Sequence, residues 1–383
     1  MGSEILAIGL AGKSLSDLER RLLAETTPYA IVLFGRNIES AEQLRSLVSE
    51  VKRIGKRPPL IMIDEEGGRV DRLRNILPGL PSASSFAEGD KPAELAEWDG
   101  KVIGMALRYF DIEIDLAPVV DIISGESSPK GLERRTFGHD PATVIELAGA
   151  FMRGLHGQGV ASCLKHWPGI GLGSADPHYG ATIIDVPLQQ LFDRDLLPYE
   201  RLGAEAGAIM IGHGIYPQID DPDLPASLSP RMTTGLLRQI GFDGVAISDD
   251  MEMHAVSDLG SYEVIAERAL KAGNDVILFC SHIERVPDIQ SFLRRRVGED
   301  AVIRARFEDA VGRAERYREH CERLRVNADP PAGSLDELVD ESARFCDEFK
   351  RTRAQRGVLV PDVDRRKGSR TPGTGRSGRE EWT

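Results

Sequence analysis

Seven polar side chains interrupt the apolar pattern of this sequence where short buried runs end: Asp64, Asp121, Arg135, Lys165, His166, His213 and Asp249. A charged residue finishing one buried strand is ordinary, but a succession of them calls for a shared reason, and a common pocket is the economical one. In GFDGVAISDDMEM (241 to 253) the Ser-Asp-Asp step reads as a helix N-cap, and it also reads as chemistry. Both hold if Asp250 caps the helix while Asp249, last in the strand, points into the pocket as a carboxylate nucleophile. The glycine- and proline-rich loop LKHWPGIGLGSADPHYG (164 to 180) delivers Asp176 and His178 two residues apart. Asp-Pro-His alone is a common turn. An Asp that orients a His is also the minimum unit of a general acid/base, since the carboxylate fixes the tautomer and favours the imidazolium. Lys165 and His166 offer donors to ligand hydroxyls, the plainer reading of His166 being a satisfied core histidine. In IDEEGGRVDRL (63 to 73) two glycines follow a run of carboxylates. That segment reads either as a charged turn held by internal pairs or as a site. In the second reading Asp64 accepts from two adjacent hydroxyls, with Arg72 and Arg135 as further donors.

These residues need elements to carry them. Strands are expected at 5 to 10, 30 to 34, 60 to 64, 112 to 118, 161 to 166, 208 to 213, 245 to 249 and 275 to 280. Between them lie segments with helical apolar spacing, such as SLSDLERRLLAE, SAEQLRSLVSEVKRI, PATVIELAGAFMRGLHGQG, SPRMTTGLLRQIG and YEVIAERALKAG. Eight strand-helix units predict an α/β protein of the TIM type, a (β/α)8 barrel, because both faces of such strands must be covered. A doubly wound sheet would carry a GxGxxG turn after its first strand, and GLAGKS is not one. The barrel is expected over residues 1 to 330 and an amphipathic helix packed outside it over 331 to 356. Residues 357 to 383, rich in Gly, Ser, Thr, Pro and Arg, are expected to be a disordered basic tail.

Composition narrows the partners. With 48 basic and 61 acidic residues the chain carries a formal charge of −13, which argues against a nucleic-acid backbone as partner. Cys163, Cys280, Cys321 and Cys346 stand far apart without metal-type spacing and read as free thiols of a reducing compartment. No run approaches a membrane span, and MGSEILAIGLAGKS lacks the basic start of a leader, so a cytoplasmic protein with no membrane contact is expected. The expected state is a monomer or weak homo-oligomer.

Together these segments resemble the single-domain bacterial β-N-acetylglucosaminidases of glycoside hydrolase family 3. The resemblance runs in order through VLFGRNI (32 to 38), IDEEGGRVDRL, DLAPVVDI (115 to 122), RTFGHDP (135 to 141), KHWPGIG with DPH, MIGHGIYPQID (210 to 220), PASLSP (225 to 230) and GFDGVAISDDMEM. It implies a retaining mechanism with Asp249 as nucleophile and Asp176 with His178 as the acid/base dyad. It implies further that Asp64, Arg72, Arg135, Lys165 and His166 hold the non-reducing sugar. The partner it implies is a small carbohydrate, from fragments of cell-wall peptidoglycan, with no metal or cofactor. Trp167, Ile170 and Pro177 stand where the family usually has Phe, a second His and a hydroxyl residue.

Three other readings stay open at this stage. A metal-dependent barrel hydrolase would use His166, His178, His213 and Asp249 as ligands. A barrel that only binds would have lost a catalytic group, and none of those named is missing. Phosphorolysis, or a β-glucosidase activity within the same family, would keep the site and change the acceptor or the sugar.

Overall fold

A computed structural model describes residue 2 and residues 4 to 124, 131 to 175 and 181 to 356. Its strands are β1 (Leu6–Gly9), β2 (Ala30–Leu33), β3 (Leu60–Ile63), β4 (Ile114–Asp115), β5 (Ala161–Ser162), β6 (Leu164–Trp167), β7 (Ser174–Ala175), β8 (Thr182–Ile183), β9 (Ala208–Ile211), β10 (Val245–Asp250) and β11 (Val276–Phe279). β7 and β8 form a separate antiparallel pair. The other nine segments pair in parallel in the order β5-β4-β3-β2-β1-β11-β10-β9-β6. The two ends of that order, β5 and β6, are consecutive in the chain with only Cys163 between them. One expected strand, 161 to 166, therefore pairs with β4 through its first half and with β9 through its second. The seam is laced further by Cys163 N–H to Ala117 O at 2.9 Å and Val120 N–H to Lys165 O at 2.8 Å. The sheet thus closes into the expected eight-stranded (β/α) barrel.

Alternation along the strands divides the core in two. Leu60 and Met62, Val245 and Ile247, Ala208 and Met210 belong to the cluster inside the barrel. Their neighbours Ile61 and Ile63, Ala246, Ile209 and Ile211 belong to the cluster between strands and helices. Continuing the inward series by two residues reaches Asp64 in β3's exit, Lys165 after Cys163, and Asp249 in β10. The period of two that packs the barrel therefore also delivers charged side chains to its carboxyl-end mouth.

Five of the covering helices begin at side-chain caps. Ser16 accepts from Glu19 N–H at 3.2 Å while Glu19 returns to Ser16 N–H at 2.7 Å. Ser40, Asp140, Asp300 and Ser334 cap the helices Ala41–Arg53, Pro141–Gly157, Ala301–Asn327 and Leu335–Gln355 by accepting from first-turn N–H groups. Each such cap satisfies an amide that the helix leaves unpaired and contributes about 1 kcal/mol.

The long helix Ala301–Asn327 seals the end opposite the mouth. Tyr317 donates to Ser162 O at 2.8 Å, Tyr29 donates to Ala314 O at 2.8 Å, and Arg318 donates to Tyr29 O at 3.1 Å. Ala314, Tyr317 and Cys321 complete the interior cluster. Leu335–Gln355 lies against the helix Pro92–Tyr109, with Phe345 beside Trp98 at 5.6 Å and Phe349 beside Phe86 at 5.1 Å between ring centroids.

Candidate active site

The site is built from strand exits. Lys165, only 1 % exposed, places Nζ 2.5 Å from Asp64 and 2.6 Å from Glu66. Arg135 grips the same Glu66 with two nitrogens, Nε at 2.7 Å and Nη2 at 2.8 Å. Burial pushes Glu66 up, but Lys165 and Arg135 outweigh it and hold the carboxyl well below the usual range. Burial works equally against charge on Lys165 and Arg135, and the carboxylates beside them raise both above their ordinary values. Glu66, Lys165 and Arg135 are ionised at neutral pH, and none of the three can leave without stranding a buried charge.

His166 stands on the neighbouring face of β6. Asp121 Oδ2 lies 2.8 Å from its Nδ1 and accepts its main-chain N–H at 3.2 Å, while Oδ1 accepts from Ile170 N–H at 2.8 Å. The ring nitrogen bound to Asp121 is thereby the protonated one, which leaves Nε2 to the mouth. Trp167 turns away from the pocket. Its ring is fully buried edge-on to Tyr199 at 5.1 Å, and its indole N–H donates to Met232 O at 3.0 Å, a bond a phenylalanine has no atom to make. Ile170 packs on Val119, Ile123 and Leu132, so the position is filled by apolar contact.

Across the mouth, Asp249 takes the N–H of Asp250 at 2.8 Å. Burial pushes Asp249 up, but the His213 and His166 rings, that N–H and Lys165 prevail and hold it below its usual range. It is therefore an anion, the form a carboxylate nucleophile requires. His213 donates Nε2–H to the Asp250 carbonyl at 2.9 Å, and its Nδ1 lies 2.7 Å from the Ser227 hydroxyl. A carbonyl only accepts, so Nε2 carries a proton; burial pushes the imidazole below its usual range against the pull of Asp249.

Asp250 does not cap a helix. The next helix, His254–Ser257, starts after Met253 without a side-chain cap. Asp250 instead ties a turn, accepting from Glu252 N–H at 3.1 Å and Cys280 N–H at 3.2 Å. Burial, with Glu252 and Asp249 nearby, pushes its carboxyl up to about 7. The expected cap fails because the chain makes a tight turn before any helix begins.

The structure brings Asp64, Lys165, His166 and Asp249 together at the mouth and joins Arg135 to them through Glu66. Arg72 is on the loop after β3; its Nε is buried without a hydrogen-bond partner, and its main-chain N–H donates to Glu65 at 2.7 Å. Asp176 and His178 lie outside the described residues, in the segment bracketed by β7 and β8. Sequence reasoning passed over Glu66, the hub between Lys165 and Arg135. Its signal was its position two residues after Asp64. Among the described residues, no group of three His, Cys, Asp or Glu is arranged to hold a metal ion.

A closed parallel barrel with buried ion pairs and an ionised carboxylate at the carboxyl ends of its strands has the layout of a barrel enzyme. Residues 4 to 316 match the glycosyl hydrolase family 3 N terminal domain. The chain belongs to that family and is a glycoside hydrolase. It is 36 % identical over 293 residues to a beta-hexosaminidase of Glaesserella parasuis serovar 5, covering 76 % of this chain and 84 % of the relative. A family 3 beta-N-acetylglucosaminidase from Paenibacillus sp. superposes with a TM-score of 0.80 at 30 % identity, covering 91 % of this chain and 68 % of that one. NagZ from Neisseria gonorrhoeae in complex with N-trifluoroacetyl-D-glucosamine superposes with a TM-score of 0.72 at 27 % identity, covering 94 % and 98 %.

Proposed function

We propose that this enzyme is an exo-acting, retaining β-N-acetylglucosaminidase that releases terminal β-linked N-acetylglucosamine. The observation that carries the mechanism is Asp249, an inward-facing carboxylate kept ionised beside Lys165, His166 and His213. In this reading Asp249 attacks the anomeric carbon while His178 gives its proton to the departing oxygen. The glycosidic bond breaks, and a glycosyl-enzyme ester on Asp249 forms. His178, now neutral and oriented by Asp176, then takes a proton from water as that water attacks the anomeric carbon. This frees the sugar and restores both side chains.

Asp64, Arg72, Arg135, Lys165 and His166 hold the non-reducing sugar. Asp64, with 18 % of its side chain exposed, is the accessible carboxylate of the Lys165 network and accepts from sugar hydroxyls. Lys165 and Arg135 keep Glu66 ionised and hold the carboxylates in place, and Arg72 supplies further donors from the loop after β3. The relatives' names support the hexosaminidase assignment, and the NagZ complex supports an N-acylated glucosamine as the bound sugar. Peptidoglycan fragments as the source, and action in the cytoplasm, rest on the family resemblance; the four buried, unpaired cysteines are in keeping with the latter.

A mechanism-based fluorosugar of N-acetylglucosamine tests the reading. It is expected to add one sugar mass to a peptide containing Asp249, and Asp249→Ala should lower turnover by several orders of magnitude while remaining folded. Label on another residue, or activity of Asp249→Ala within about tenfold of wild type, defeats the nucleophile assignment. Aryl N-acetylglucosaminide measured against aryl glucoside and xyloside decides the sugar.

A further inference from the structure

Behind the pocket, on the helix-facing side of β3 and β4, runs a buried seam of carboxyl groups that the proposed chemistry leaves unused. Glu65, Asp71, Asp115 and Asp99 are 0 %, 4 %, 0 % and 1 % exposed. Glu65 Oε2 accepts the main-chain N–H of Arg72 at 2.7 Å and of Leu73 at 3.1 Å. Asp71 Oδ2 accepts from Leu80 N–H at 3.1 Å, and Asp115 Oδ1 accepts from Glu65 N–H at 2.9 Å. The loop is thus folded back on itself by two carboxyl groups that reach forward along the chain. It also needs glycine at its bend. Gly67 has φ +75°, and a Cβ there would lie 2.4 Å from Pro81 O.

The remaining Glu65 oxygen, Oε1, is sealed from solvent and finds no N–H or neutral O–H donor. What meets the Glu65 carboxyl is the carboxyl of Asp71. Ionised carboxylates only accept, so two of them in contact repel; the contact is bonding when one proton lies between them.

We propose that Glu65 and Asp71 share one proton, Glu65 donating and Asp71 accepting, and that this acid-carboxylate bond is the clasp holding the Arg72 loop against the sugar pocket. The proposal rests on the reading of Arg72 as a sugar-binding residue. Glu65 and Asp71 are positioning residues, acting through the main chain of Arg72 and its neighbours. The charges around the pair favour the shared proton. Asp115 faces Glu65 from β4, where burial pushes its carboxyl well above the usual range against the pull of the Glu65 N–H and Lys165. Asp99 of the helix Pro92–Tyr109 and Cys346 of the helix Leu335–Gln355 lie on the far side of Asp71; burial pushes the Asp71 carboxyl up as well, while the Leu80 N–H, the bond from Glu65 and Arg74 within the loop work to keep it the anionic member. Burial first, then Asp71 and Asp115, push Glu65 well above the usual carboxyl range. When the proton leaves, two anions share a space closed to water, and the loop opens.

Infrared spectra recorded across a pH titration read the proton directly. The difference between the wild-type and Glu65→Gln spectra is expected to hold one protonated-carboxyl carbonyl band at neutral pH, the other buried carboxyl groups cancelling between the two, while the Gln amide still donates to Asp71. In steady-state assays with a nitrophenyl N-acetylglucosaminide, wild-type KM should rise about tenfold at alkaline pH as the clasp ionises. That rise should be absent from Glu65→Gln and from Asp71→Asn, in which an amide replaces the shared proton. No protonated-carboxyl band in that difference spectrum, an unchanged alkaline rise in both variants, or a stoichiometric metal ion bound in place of the proton overturns the proposal. Arg72→Ala with unchanged KM defeats instead the sugar-binding role of Arg72, and the infrared result then stands independently.

Discussion

Asp121 holds His166 at two points, with one carboxylate oxygen 2.8 Å from the ring Nδ1 and 3.2 Å from the residue's own main-chain N–H. Side chain and backbone are thus set by a single group, and the ring cannot turn without breaking a bond inside a buried space. Asp121→Asn keeps the shape but offers one accepting oxygen where two are used. It is expected to reduce kcat/KM by about tenfold or more, since hydrogen bonds to charged groups contribute about 1.5–3 kcal/mol. Unchanged kinetics would mean that the orientation of His166 is immaterial to the reaction.

Lys165→Met removes the cation shared by Asp64 and Glu66. Arg135 still pairs with Glu66, but the network loses half of its positive charge in a site where Lys165 is 1 % exposed. Removing one member of a buried ion pair costs about 3–5 kcal/mol, because the partner is left uncompensated. Denaturant unfolding of Lys165→Met, Asp64→Asn and the double variant should show that the double loses less than the sum of the singles. Additive losses would show that the two groups do not stabilise each other.

His178→Ala should be selective. Substrates with poor leaving groups need a proton on the departing oxygen, whereas a nitrophenolate leaves without one, so the first should slow severely and the second much less. With the nitrophenyl substrate the glycosyl-enzyme should accumulate as a burst, because water then lacks its base. Asp176→Asn should give a milder form of the same pattern. Equal losses across leaving groups would assign His178 to binding.

At the sealed end of the barrel, His156 has 11 % of its side chain exposed. Burial, then the nearby His320, push it down to about 4. The unfolded chain binds a proton near pH 6.5 and the folded one does not until near 4. Stability from this group is therefore complete above about 6.5, falls as pH drops through that window, and is level below it. The loss amounts to roughly 3 kcal/mol at most. His156→Gln should flatten the unfolding free energy between pH 6.5 and 4; an unchanged slope would show that His156 does not govern it.

The barrel was legible because its inward and outward residues alternate so regularly that eight apolar runs stand out, each followed by an amphipathic segment. The same period carried Asp64, Lys165 and Asp249 into view, since each continues an inward series by two residues. Glu66 was harder to see. It lies within a run of carboxylates, and only the meeting of three separate chain segments shows that it, and not Glu65, receives Lys165 and Arg135. Glu65 points the other way, and nothing in the linear order marks which neighbour faces the sugar and which the helices. The break of one strand at Cys163 was also hidden, because it depends on which partner each half finds.

The helix that seals the barrel has a consequence for how the molecule is made. Tyr317 and Cys321 complete an interior cluster whose other members begin at Ala7. A ribosome must therefore release nearly the whole catalytic chain before the last wall of that interior exists. Until then the cylinder stands open at its base, with Tyr29 and Ser162 of β5 lacking the partners that later cover them. Such a nascent chain exposes apolar surface for the full time of its synthesis. A stop codon a few residues before Tyr317 would leave the proposed sugar-binding residues and nucleophile encoded, yet the product would be one for chaperones and proteases to handle.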